Sequence, residues 1–79
     1  MNNHSIKVDY SALREAYPGP YVPRNWEKWK DYIPYSPRTL ANMDSRGTGP
    51  NQRILVGNVI CYEKSSLIEW LEGRSRVIP

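Results

Sequence analysis

Apolar and polar positions follow two different periods along this chain, and each period predicts its own kind of element. From Arg24 the spacing is helical: Trp26, Trp29 and Ile33 recur at i, i+3 and i+7, with Glu27, Lys28, Lys30 and Asp31 mostly on the other face. Asn25 caps this helix, and Pro34 stops it because the residue before a proline is pushed out of the helical region. A second helix begins with Ser36 as N-cap and Pro37 as its first residue, and stops at Gly47. Its Leu40 and Met43 face inward; Arg38, Thr39, Asn42 and Ser45 stay outside. Only about three residues separate the two helices, the spacing of a helix-turn-helix. After the loop Thr48-Gly49-Pro50-Asn51 the period changes. Arg53–Val56 and Val59–Tyr62 are apolar, β-branched runs joined by Gly57-Asn58, which predicts a hairpin with a type II′ turn. Ser66 and Glu69 then form a capping box for a last helix with Leu67, Trp70 and Leu71 inward, ended by Gly73 and followed by a tail to Pro79.

The first 23 residues have neither regularity for long. A short helix is expected between Ser5 and Tyr17, capped by Asp9 or Ser11, with Ala12, Leu13 and Ala16 inward. Pro18, Pro20 and Pro23 then exclude a helix interior or a central strand, leaving an extended strap lying on the surface. The expected organisation is an N-terminal arm over 1–23 and a domain over 24–79. The order helix, turn, helix, hairpin, helix is that of a small α+β winged helix-turn-helix: helix-turn-helix, two-stranded hairpin wing and C-terminal helix.

Composition narrows the function. At 79 residues, against a prior of roughly 150 per domain, the chain is one domain. A chain this short buries about 60–70% of its unfolded surface, enough for one small core and no deep substrate cleft. No apolar run approaches the ~20 residues that span a bilayer. Met1-Asn2-Asn3-His4-Ser5 lacks the layout of a signal peptide, so a cytoplasmic location is expected. The single cysteine, Cys61, and single histidine, His4, sit at opposite ends of the chain. They provide no disulfide, no zinc site and a poor nucleophile–base pair. The expectation is a protein that is not an enzyme and has no cofactor, metal or small-molecule substrate.

Charge adds a direction. The net charge is +3, and all of it lies in 24–53, where Arg24, Lys28, Lys30, Arg38, Arg46 and Arg53 outnumber Glu27, Asp31 and Asp44. A basic middle segment suits a polyanion, nucleic acid first, although an imbalance of this size is also ordinary for a soluble surface.

The stretch Tyr32 to Arg74 resembles the MerR-like winged-helix domains of excisionases and prophage regulators. The matching pieces are Ser36-Pro37-Arg38-Thr39-Leu40, Arg46-Gly47-Thr48-Gly49-Pro50, the hairpin Val56-Gly57-Asn58-Val59 closing on Tyr62, and Ser65 to Glu72. It departs at Trp26 and Trp29, at Met43, and at Ile60-Cys61-Tyr62-Glu63, where such domains carry more basic residues. The resemblance implies a second helix that enters the DNA major groove and a wing that touches the neighbouring backbone. It also implies binding as a dimer or cooperative array, with a recombinase as a further partner.

On that reading Ser36, Arg38, Thr39, Asn42 and Arg46 are the candidate DNA contacts of the helix, and Arg53 and Asn58 those of the wing. Arginine pairs bidentately with guanine and asparagine with adenine, the chemistry that base readout needs. Each has a plainer role as well: Ser36 as a cap, Gly57-Asn58 as turn residues, the others as solvated polar positions. Asp44 opposes phosphate unless it pairs, with Arg46 for instance. Trp26, Trp29 and Trp70 suit core packing better than stacking on single strands. The function expected is sequence-specific binding of duplex DNA, as an excisionase-like architectural factor or a transcriptional regulator. The alternative is a protein-interaction module on the same scaffold.

Overall fold

The computed structural model describes residues 8–76 and Ile78; His4 and the rest of the N-terminal segment 1–7 lie outside the described residues. The elements are α1 (Ser11–Ala16), β1 (Tyr21–Pro23), α2 (Trp29–Tyr32), α3 (Pro37–Ser45), β2 (Arg53–Val56), β3 (Val59–Glu63) and α4 (Lys64–Gly73). The architecture is α+β, with four helices and one antiparallel sheet of order β1-β3-β2 among the described residues. No described helix is long and apolar enough to cross a membrane.

The hairpin forms as the sequence predicts. Val56 pairs with Val59 across the two-residue turn, and the ladder continues through Leu55–Ile60 and Ile54–Cys61 to Arg53–Tyr62. Gly57 has φ of 59° and Asn58 a negative φ, the combination that a type II′ turn requires of its first and second central residues. The α3 start is likewise as expected: Ser36 Oγ accepts the N–H of Thr39 at 3.1 Å, and Pro37 occupies the first turn. Gly47, with φ of 76°, turns the chain out of the helix.

The N-terminal segment is not an arm laid over a finished domain. Val22 is fully buried, Leu13 is 1% exposed, and both belong to the single core with Trp29, Ile33, Leu40, Tyr62, Leu67, Ile68 and Leu71. β1 makes the sheet three-stranded by pairing Val22 with Tyr62. Prolines that forbid a central strand are tolerated here because β1 is an edge, where an absent N–H costs no ladder bond. Lys64 fixes the segment further, its Nζ donating to the carbonyls of Arg14 and Tyr17 at 3.1 and 2.7 Å at the end of α1. The boundary expected at residue 23 therefore cuts through the core. In α1 itself Leu13 is buried, whereas Ala12 is exposed; Asp9 accepts the N–H of Ser11 at 2.9 Å.

Two helix boundaries also differ from expectation. The helix expected from Asn25 to Ile33 shrinks to the single turn of α2, because the chain leaves β1 through two tight turns, closed by the Trp26 N–H on the Pro23 carbonyl and the Trp29 N–H on the Trp26 carbonyl. Trp29 and Ile33 are buried as predicted. At α4 the cap is Glu63, not Ser66: its carboxylate accepts the N–H groups of Ser65 and Ser66, so the helix starts directly from β3. This places Ile68 in the core and leaves Trp70 half-buried on the flank.

Candidate nucleic-acid interface

α3 is held by one deep anchor and two end clamps. Leu40 is fully buried and Met43 packs against the core. Before the helix, the indole N–H of Trp29 donates to the Tyr35 carbonyl at 2.7 Å; after it, that of Trp70 donates to the Thr48 carbonyl at 3.0 Å. Trp26 lies between Tyr17 and Tyr32, and the Arg74 guanidinium sits over Trp70. The three tryptophans thus position backbone or fill the core.

The outer face of α3 carries Arg38, Thr39, Asn42, Ser45 and Arg46, all exposed. Arg38, Asn42 and Arg46 follow at steps of four, a single stripe about 12 Å long. Ser36 is exposed at its start, with Oγ committed to Thr39. α3 has one acidic residue, Asp44, and that residue is turned inward with its side chain 6% exposed. Its carboxylate pairs with the guanidinium of Arg24 and accepts a hydrogen bond from the Tyr62 hydroxyl at 2.5 Å, and Arg53 Nη1 lies 3.6 Å away. The expected partner Arg46 plays no part, because it lies on the outer stripe.

This cluster joins α3 to both β3 and β2. Burial pushes the Tyr62 phenol up to about 12, and its hydrogen bond to Asp44 acts in the same direction. For Arg24, burial works against the charged form, but the bonds to Tyr62 and Asp44 outweigh it and raise its pKa. Gly49 belongs to the same cluster: a methyl there would collide with the Asp44 carboxylate. Glycine in the loop after α3 is therefore a space requirement imposed by Asp44.

The hairpin meets the start of α3 across a cleft of about 340 Å³ lined by Arg24, Asn25, Pro37, Asn58, Val59 and Ile60. Asn58, at the hairpin tip, lines the same depression as Pro37 at the α3 N-terminus. Arg53 has a second neighbour that the sequence does not suggest. It stands at the base of the hairpin with its side chain 43% exposed and its guanidinium beside Asp44, so it serves the internal cluster as well as facing solvent. No family model matches the chain, and neither a curated protein nor a solved structure matches it. Arg24 and Asn25 were not among the expected contacts. Arg24 is twenty positions from Asp44 in the chain, and no local pattern links them.

Proposed function

We propose that this protein is a winged helix-turn-helix that binds duplex DNA, with α3 in the major groove and the β2–β3 hairpin as its wing. The observation that carries this reading is that Asp44 turns inward and pairs with Arg24. It leaves α3 with an outer face of arginines and uncharged polar residues, free of any carboxylate that phosphate would repel. Arg38 and Asn42 reach base edges, Ser36, Thr39 and Arg46 meet backbone, and Asn58 with Arg53 contacts the phosphates beside the groove. The likeness to excisionases and prophage regulators fits an architectural or regulatory role, with action as a dimer or array. A second reading, a protein-interaction module, is favoured by the hairpin, where Leu55 and Val56 are 65% and 57% exposed. Apolar side chains there add little to phosphate binding.

The test is a fluorescence-anisotropy titration on preferred and random duplexes at several salt concentrations. Arg38→Ala and Asn42→Ala each cost about 1–3 kcal/mol on the preferred site and much less on random DNA. Folded wild-type protein that binds no duplex at low salt would overturn the reading in favour of the interaction module.

A further inference from the structure

The two edges of the sheet are guarded unequally. On the β1 side, positions 20, 22 and 24 turn their backbone to β3, and Pro23, at an outward position, presents no N–H to a neighbour. On the other side β2 has no proline, no bulge and one charge, Arg53, followed by exposed Ile54, Leu55 and Val56. Sheet edges of that kind are templates for another strand. The backbone phase of β2 follows from its turn. Val56 and Val59 close the two-residue loop, and the N–H of Glu63 donates to the Gln52 carbonyl. Ile54 and Val56 therefore spend their backbone groups on β3, while Arg53 and Leu55 direct theirs to the edge that no other strand covers among the described residues.

We infer that β2 pairs antiparallel with β2 of a second copy of this chain, across a twofold axis at Ile54, fusing two sheets into one. Outward-facing backbone has to meet outward-facing backbone, and this leaves few registers. An axis at Arg53 sets two guanidinium groups opposite each other. An axis at Leu55 runs Arg53 into the turn at Gly57, where φ is not that of a strand. With the axis at Ile54, Arg53 of each copy exchanges hydrogen bonds with Leu55 of the other, Ile54 meets Ile54, and the arginine stem covers the leucine. The edge is thus its own complement, with no like charges opposed and no acidic partner called for. The contact is short, below the ~1,200 Å² of standard interfaces, so the dimer forms weakly and reversibly.

This goes beyond the DNA reading and is measured without DNA. Sedimentation of the wild-type chain from about 10 µM to about 1 mM is expected to show a growing dimer fraction. Leu55→Pro removes only an outward N–H, so it leaves the hairpin ladder whole and holds the protein monomeric at the highest concentration. Leu55→Lys does the same by charge if the proline variant misfolds. Ile54→Cys in a Cys61→Ala background cross-links to a covalent dimer on mild oxidation. A wild type that stays monomeric throughout leaves the edge to a foreign strand and overturns the proposal. So does a dimer untouched by both Leu55 variants, and a dimer without the Ile54→Cys cross-link overturns the register.

Discussion

Asp44 gathers the polar interior of the molecule, and its neighbours predict what its loss does. Removing it takes their acceptor from a partly buried Arg24 and from the hydroxyl of the fully buried Tyr62. Asp44→Ala is expected to cost about 1.5–3 kcal/mol in urea unfolding, the range for hydrogen bonds to a charged group. Gly49→Ala destabilises for a different reason, by overpacking the carboxylate, at about 1–3 kcal/mol. The two changes are coupled: with Asp44 already alanine, the Gly49 methyl no longer meets the carboxylate and costs less. A double-mutant cycle in which the costs simply add would refute this account of Gly49. Tyr62 sets the alkaline limit. Its folded pKa is raised above the ordinary 10, so its contribution is complete below pH 10 and disappears as pH rises toward about 12. A titration that follows tyrosinate absorbance and circular dichroism together is expected to show loss of fold coinciding with the last tyrosine to ionise.

Elements here are secured at their ends more than along their length. α2 is one turn and α1 is six residues, too short to be stable alone. They persist because Trp29, Leu13 and the Lys64 tether hold them. α3 depends on its cap and its anchor. Ser36→Ala is expected to cost about 1 kcal/mol, and Leu40→Ala about 2–5 kcal/mol through a core cavity, removing any DNA binding only by unfolding. For α4, bonds from the Ser66 N–H lower the Glu63 pKa, with help from Ser65. Its capping contribution is therefore present above the ordinary carboxylate pKa and is lost as pH falls through the depressed folded value. Glu63→Gln is expected to flatten that acid-side decline in a pH series of thermal melts.

At the scale of the molecule, one core draws on every element except β2, so the N-terminal segment cannot be removed without consequence. Deleting residues 1–17 takes away Leu13 and both carbonyl acceptors of Lys64. The thermal midpoint is expected to fall by roughly 10 °C or more, from a loss of about 2–4 kcal/mol in a domain this small. An unchanged midpoint would restore the detachable arm. β2 carries no buried side chain, so changes on its exposed positions are expected to alter association or binding with little effect on stability.

Wherever structure depends on residues close in sequence, the sequence alone determined it. The Ser36-Pro37 start, the Gly47 stop and the Gly57-Asn58 turn are local geometry, and Leu40, Trp29, Ile33 and Leu71 follow from helical spacing. The exposed stripe Arg38, Asn42 and Arg46 was legible by the same arithmetic. What the tertiary structure decided is all long-range. Val22 became a core residue on an edge strand because the central strand β3 pairs with it there, and no periodicity shorter than the forty residues between Val22 and Tyr62 records that pairing. Glu63 displaced Ser66 as the α4 cap because β3 runs directly into the helix. Asp44 turned inward because Arg24, from the turn after β1, and Tyr62, from β3, offer it a positive charge and a hydrogen-bond donor there.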